Sequence, residues 1–185
     1  MSNSEGHTDS ITDRPASPEG CIATTFERAY YHVDKLFIKR SLRPSEYRTS
    51  QRGLHVPRLG KERLQNEAEC LRFVAENTDV PVPAIHAAFE VDESFCLITE
   101  YVDGVSMAGL TDAQKEFVTL ELRKHLDTLH SLKSKRIGGP TGIVIPPYRA
   151  MKLTDRAQDT ARWPVELEPK VSSVSDYAFC HNDLS

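Results

Sequence analysis

Four short apolar runs occur as two neighbouring pairs, and one amphipathic stretch separates the pairs. The first pair covers residues 26–33 and 36–40, and the second covers residues 84–91 and 95–101. Runs of this length are typical of β-strands, and a short polar turn joins the two members of each pair. This order predicts two antiparallel hairpins with a helix packed on their sheet, which places the chain in the α+β class.

The stretch between the pairs, residues 61–77, has the periodicity of an amphipathic helix. Its apolar stripe consists of Leu64, Ala68, Leu71, Val74 and Ala75. Phe73 falls on the outer face, away from this stripe. Pro81 and Pro83 follow closely, and proline cannot continue a helix, so the helix is expected to end near residue 77.

A second, longer helix is predicted after the hairpins. Thr111 and Gln114 have the spacing of a capping box, and apolar residues recur at helical spacing to about Leu132. Residues 140–175 contain several prolines and little periodicity, which favours a long loop with short helical pieces. Residues 1–20 contain a single aliphatic side chain and are expected to form a disordered tail.

Composition excludes several classes of protein. The formal net charge of −4 argues against a nucleic-acid partner that depends on overall basicity. No apolar run reaches the roughly 18 residues that a membrane-spanning helix needs. The four cysteines form no CxxC pair, so we interpret them as buried thiols in a reducing compartment and expect a cytoplasmic protein.

Two charged residues lie where apolar ones are expected. Glu67 falls on the apolar side of the predicted helix, and Lys39 ends the apolar strand run Leu36-Phe-Ile. A carboxylate turned toward a core is costly unless it is paired, so we expect Lys39 and Glu67 to form an ion pair within about 4 Å. Two alternatives remain open: Glu67 could extend from the edge of the stripe to solvent, and Lys39 could be solvated at its strand end.

The last residues carry a third polar motif, His181-Asn-Asp183, directly after the strand-like run 177–180. An aspartate where a strand becomes a loop suits a carboxylate that orients an attacking hydroxyl. A motif this short also occurs by chance, and a two-ligand metal site is a further alternative, although no third ligand has suitable spacing. We therefore assign no metal ligand within the 185 residues.

These motifs, in this order, resemble those of the aminoglycoside phosphotransferase-type kinases, which share the protein-kinase-like fold with choline kinases. The similarity runs from about residue 26 to the last residue and is closest to uncharacterised fungal members of that family. It rests on four segments: Phe-Ile-Lys39, Asn-Glu67-Ala-Glu-Cys-Leu-Arg-Phe, Leu-Ile-Thr-Glu100-Tyr-Val-Asp-Gly104 and Cys-His-Asn-Asp183-Leu-Ser.

The resemblance implies a role for each matching residue. Lys39 would hold the α- and β-phosphates of ATP, and Glu67 would orient Lys39. Residues 99–102 would form the hinge between two lobes, where the Glu100 carbonyl and the Val102 amide would face the adenine edge. Asp183 would be the catalytic aspartate that positions or deprotonates the acceptor hydroxyl. No GxGxxG motif precedes Lys39, so a glycine-rich flap over the phosphates is not evident.

The resemblance also implies the domain organisation. Residues 21–101 would form a kinase-like lobe with an antiparallel sheet, and residues 102–185 would form the hinge and an incomplete, mainly helical second lobe that ends in the catalytic loop. The Mg²⁺ ligands of the family would lie beyond Ser185. We therefore expect a truncated chain that is inactive and prone to aggregate in isolation.

The function implied by the resemblance is ATP-dependent transfer of phosphate to a hydroxyl of a small molecule, with ATP and Mg²⁺ as cofactors. The alternative is a non-catalytic kinase-like fragment that serves as a binding or scaffold module. No nucleic-acid or membrane partner is expected. The sequence identifies neither the acceptor nor the oligomeric state.

Overall fold

A computed structural model describes residues 20–51, 53–145 and 176–179 of the chain. The strands and α-helices in these ranges are, in chain order, β1 (Cys21–Thr24), β2 (Arg28–Val33), β3 (Leu36–Ser41), β4 (Arg48–Ser50), β5 (Gly53–His55), α1 (Gly60–Asn77), β6 (Ile85–Val91), β7 (Ser94–Glu100), α2 (Asp112–Ser131), β8 (Lys133–Ser134) and β9 (Tyr177–Ala178). Short 3-10 turns occur at Pro44–Glu46 and Met107–Gly109.

Five strands form one antiparallel sheet in the order β1-β2-β3-β7-β6. Both predicted hairpins are confirmed: β2 pairs with β3 around Asp34, and β6 pairs with β7 around Asp92 and Glu93. All three turn residues adopt positive φ, and two successive positive φ angles at Asp92 and Glu93 fit the twist of a tight hairpin. The α+β class is therefore confirmed, with β3 at the centre of the sheet.

Helix α1 packs its apolar stripe on the sheet. Leu64 and Ala68 are fully buried against Phe95 and Leu97 of β7, and Leu71 adds to the same cluster. Burying such side chains supplies about 25 cal/mol for each Å² of apolar surface, which holds the helix on this face. One predicted member of the stripe is wrong: Ala75 is exposed, because it belongs to the solvent-facing end of the helix at residues 75–77.

The segment between β3 and α1 has ordered structure of its own. It contains the Pro44–Glu46 turn and the β4–β5 ribbon. Arg40 anchors the turn: its guanidinium donates to the two Glu46 carboxylate oxygens at 2.6 and 2.7 Å and to the Tyr31 hydroxyl at 3.1 Å. Arg40 is only 7% exposed, so its paired charge is buried on the outer face of the sheet, the face opposite α1.

A glycine turn after β8 docks on α1. Gly138 has φ of +123°, and a Cβ atom on Gly139 would lie 2.0 Å from Asn66 Oδ1, so only glycine fits there. The Thr141 hydroxyl donates to Asn66 Oδ1 at 3.2 Å. Val144 is buried, and Ile145 packs on Leu59 at the start of α1. The helix is thus held by the sheet and by this turn.

Helix α2 begins as predicted. The Thr111 hydroxyl accepts from the Gln114 amide at 3.4 Å, and the Gln114 side chain accepts from the Thr111 amide at 3.0 Å, which confirms the capping box. None of its residues is fully buried. Neither helix in the described ranges has the length and apolar character needed to cross a membrane.

The strand predicted near residue 177 is confirmed as β9, which pairs with β8. The Phe179 amide donates to the Leu132 carbonyl at 3.1 Å, and the Phe179 ring stacks on Phe73 of α1 with ring centroids 5.7 Å apart. Phe73 does face away from the stripe, but this ring covers it. The predicted tail lies outside the described residues except for Gly20, as does most of the predicted loop 140–175, and the two-lobe division stays a prediction.

The buried pair Arg40–Glu46 should make folding sensitive to acid. Arg40 hydrogen bonding keeps the pKa of the Glu46 carboxyl below its usual 4.5, with smaller contributions from the Arg43 amide and charge. The pair therefore stabilises the fold above about pH 4.5 and loses this effect as the pH falls through the lowered pKa.

We expect Glu46→Gln to lower the free energy of unfolding at pH 7 by about 2–3 kcal/mol, because it leaves a buried guanidinium without its counter-charge. Urea denaturation between pH 3 and 7 measures both this loss and its pH dependence. The control is Glu90→Gln, which removes an exposed partner of Lys61 and should change stability by less than about 0.5 kcal/mol. Equal effects of the two variants would contradict the prediction.

Candidate functional site

Lys39 and Glu67 form the predicted ion pair. Lys39 Nζ lies 2.5 Å from Glu67 Oε1, and the side chains are 29% and 26% exposed. Strand alternation directs Lys39 to the face that α1 covers and Arg40 to the opposite face. The neighbouring carboxylate, Glu69, instead pairs with Arg72 on the helix surface, which confirms the predicted helix phase. The role of the pair in nucleotide binding stays a prediction at this point.

Arg28 is a third member of this cluster, and the sequence analysis missed it. Its Nη1 atom donates to Glu67 Oε2 at 3.1 Å, so each carboxylate oxygen of Glu67 binds a different cation. The hairpin register held the relevant signal: Tyr30 lies opposite Lys39, and Arg28 lies opposite Ser41. Residues two positions apart on a strand share a face, so Arg28 lies on the face of Lys39.

The cluster carries one net positive charge in a half-open setting. Two cations and one carboxylate leave a formal charge of +1 on a surface that solvent and small anions can reach. The side chains of Arg28, Lys39 and Glu67 are all between 19% and 29% exposed. Such a surface attracts an anion more strongly than an isolated, neutral lysine–glutamate pair would.

An aromatic row continues along the same face of the sheet. Phe37 shares the face of Lys39, stacks on Tyr30 with centroids 6.1 Å apart, and lies 6.5 Å from the ring of Tyr101. His32 stacks on Tyr101 with centroids 3.8 Å apart. The ammonium of Lys39 lies 5.8 Å from the Phe37 ring centroid. The face therefore presents flat apolar rings directly beside the cationic cluster.

The predicted hinge, residues 99–102, spans the end of β7 and the two residues after it. The Ala84 amide donates to Glu100 Oε1 at 3.1 Å, whereas a regular antiparallel ladder would direct this hydrogen bond to the Glu100 carbonyl. The carbonyl instead accepts from the Thr99 hydroxyl at 3.1 Å. The Tyr101 amide donates to the Lys35 carbonyl, one residue before β3. Val102 is 62% exposed.

The predicted catalytic residue, Asp183, and its neighbour His181 lie outside the described residues. The chain that leads to them is described as far as Phe179, which contacts the helix that carries Glu67. In the part of the chain that the structure describes, no group of three His, Cys, Asp or Glu side chains is arranged to hold a metal ion.

The sheet, its single packed helix, the strand-to-helix ion pair and the connection into a second long helix together define a protein-kinase-like phosphotransferase fold. The chain matches the family model described as "Phosphotransferase enzyme family" (APH) over residues 18–185, and it belongs to that family. A comparison with curated proteins finds no match.

Cys70 provides a chemical probe of the charge on Glu67. Burial, together with smaller contributions from the negative charges of Glu67 and Glu69, raises the pKa of the Cys70 thiol to about 11. Cys21, Cys70 and Cys96 are free, although only Cys96 is fully buried, so the prediction of buried thiols is too strong for the other two. Cys180 lies outside the described residues.

We expect Cys70 to react with iodoacetamide at pH 8 at least about 100-fold more slowly in the folded than in the urea-unfolded chain, because little of the thiol is ionised. Glu67→Gln should accelerate the reaction, since it removes one of the charges that raise the pKa. Glu76→Gln, an exposed change on the same helix, is the control. Peptide mass spectrometry measures the rates, and identical rates in folded and unfolded chains would refute the prediction.

Proposed function

We propose that this chain is an ATP-dependent phosphotransferase that transfers the γ-phosphate of ATP to a hydroxyl of a small molecule. Family membership gives phosphotransferase activity in general. The main observation in favour of ATP as the phosphate donor is the ion pair between Lys39 on the central strand and Glu67 on the packed helix, at 2.5 Å. A strand lysine held by a helix glutamate is the arrangement that protein kinases use to hold nucleotide phosphates.

The aromatic row and the hinge support an adenine nucleotide as the donor. Phe37 presents a ring next to Lys39, and stacking on a ring of this kind is favourable for a flat base. The Glu100 carbonyl would accept from the adenine amino group, and the Val102 amide would donate to a ring nitrogen. Because the Glu100 carboxylate holds the Ala84 amide, the Glu100 carbonyl accepts from the Thr99 hydroxyl and keeps its second lone pair for such a contact.

The proposed reaction needs little covalent participation by the protein. The acceptor oxygen would bond to the γ-phosphorus as the bond to the ADP oxygen breaks, and Asp183 would orient the acceptor hydroxyl and take its proton. Catalysis would then consist mainly of positioning and of stabilising the phosphoryl charge. Lys39 contributes by holding the phosphates, and Glu67 contributes by fixing the position of Lys39.

Mg²⁺ is the second proposed cofactor. When bound, it would neutralise the negative charge of the phosphates. The described residues contain no group of three His, Cys, Asp or Glu side chains that could hold it. We further propose that the protein acts in the cytoplasm on a small-molecule acceptor, without a nucleic-acid or membrane partner. Its net charge of −4 supports the absence of a nucleic-acid partner.

Lys39→Ala should weaken ATP binding at least about tenfold, because it removes a charge-assisted contact to the phosphates. The fold should persist, since Glu67 keeps its contact with Arg28. Lys35→Ala is the matched control, because Lys35 lies in the exposed turn of the same hairpin. Isothermal titration calorimetry measures both affinities, and unchanged ATP affinity in Lys39→Ala would remove the basis of the proposal.

Transfer itself is tested by Mg²⁺-dependent release of ADP with a panel of hydroxylated small molecules, in the longest chain that the coding sequence specifies. Asp183→Asn should abolish release while ATP affinity stays within about twofold of wild type, because the aspartate acts on the acceptor. A chain that binds ATP through Lys39 but transfers phosphate to no acceptor in any form would instead be the non-catalytic kinase-like module.

Val102→Pro should weaken ATP and adenosine equally, by about tenfold, because proline removes the amide that would donate to the base. Val105→Pro is the control, since Val105 is 76% exposed and lies beyond the hinge. If Val102→Pro and Val105→Pro bind adenosine equally well, the Val102 amide does not contact the base.

A further inference from the structure

We propose that Arg28 is a second phosphate-binding residue of this site. Its positive charge would take the place of the backbone amides that a glycine-rich flap would bring to the phosphates. This inference rests on the proposed function. It concerns the β1–β2 hairpin, where the sequence lacks the GxGxxG pattern that would bring backbone amides onto the phosphates.

The formal charge of the cluster is the first observation that favours phosphate binding by Arg28. Lys39 and Glu67 alone are formally neutral, so the pair by itself offers a polyanion little net attraction. Arg28, on the second oxygen of the same carboxylate, raises the formal charge of the cluster to +1. The attraction of this cluster for a triphosphate therefore depends on Arg28 as much as on Lys39.

The number of hydrogen-bond donors on the Arg28 side chain is the second observation that favours phosphate binding. Arginine has five N–H donors in a planar fork that matches phosphate oxygens. Among the side-chain nitrogens of Arg28, only Nη1 has a hydrogen-bond partner in the part of the chain that the structure describes, the Glu67 carboxylate at 3.1 Å. Glu67 holds the side chain, which is 19% exposed and therefore still accessible to solvent.

The third observation is the hydrogen bonding of the backbone amides in the β1–β2 turn. The Thr25 hydroxyl accepts from the amides of Glu27 and Arg28 at 3.2 and 3.0 Å, and the Thr25 amide donates to the Arg28 carbonyl at 2.8 Å. These amides already have partners inside the turn. A side chain is therefore the better-placed group to meet phosphate, and Arg28, the first residue of β2, lies on the face of Lys39.

The experiment compares the affinities of ATP and adenosine in wild type, Arg28→Gln and Arg28→Lys at constant ionic strength. We expect Arg28→Gln to weaken ATP about tenfold and to leave adenosine unchanged, because adenosine carries no phosphate. Arg28→Lys, which keeps the charge but not the fork, should fall between them. Arg72→Gln is the control, since it removes the same charge from the outer surface of α1 and should change neither affinity.

A double-mutant cycle separates direct contact from an effect that passes through Glu67. If Arg28 binds phosphate itself, Arg28→Gln weakens ATP by a similar factor in a Glu67→Gln background. If that factor disappears, Arg28 only positions Glu67 and the inference is wrong. Thermal unfolding checks that each variant is folded, and Arg28→Lys carries the comparison if Arg28→Gln is not.

Failure of this inference differs from failure of the proposed function. A wild-type chain that binds neither ATP nor adenosine overturns both. A wild-type chain that binds both, with the same ratio of ATP to adenosine affinity in Arg28→Gln as in wild type, overturns the role of Arg28 and leaves the nucleotide site intact.

Discussion

The structure depends on one carboxylate that two cations share. Glu67 is held through Oε1 by Lys39 and through Oε2 by Arg28, and its two partners come from neighbouring strands. A carboxylate bound on both sides cannot rotate without breaking one of these contacts, so the position of α1 along the sheet is fixed by charge as well as by the burial of Leu64 and Ala68. Packing sets the distance of the helix from the sheet, and the ion pairs set its rotation.

The two faces of β3 use ion pairs for different purposes. On the outer face, Arg40 and Glu46 form a two-contact pair that is nearly closed to solvent on the arginine side, which stabilises the fold but leaves no room for a ligand. On the inner face, the side chain of Lys39 keeps 29% of its surface exposed. Adjacent residues of one strand thus carry a structural cation and an accessible one, which is what alternation permits in a central strand.

Local sequence signals predicted the hairpins, α1 and the capping box of α2, because each depends on residues within a few positions of one another. The Lys39–Glu67 pair was also predictable, since an inward glutamate requires a partner. The contacts of Phe73 with Phe179 and of Asn66 with Thr141 were not predictable. They join distant segments, and no periodicity records which distant segment will cover a given side chain. Arg28 was accessible in principle through the hairpin register, and Asp183 still rests on its motif alone.

The docking of the glycine turn on α1 has a consequence for the order in which the chain folds. The hydrogen bond from Thr141 to Asn66 joins residues 75 positions apart, and the sheet can form before residue 141 exists during synthesis. In a nascent chain, α1 would therefore pack on a complete sheet before Thr141 and Ile145, which contact Asn66 and Leu59, have been synthesised. Contacts between such distant residues form late and slow folding, since the long intervening loop must first be closed. The helix that carries Glu67 can therefore pack on the sheet well before it acquires all of its neighbours.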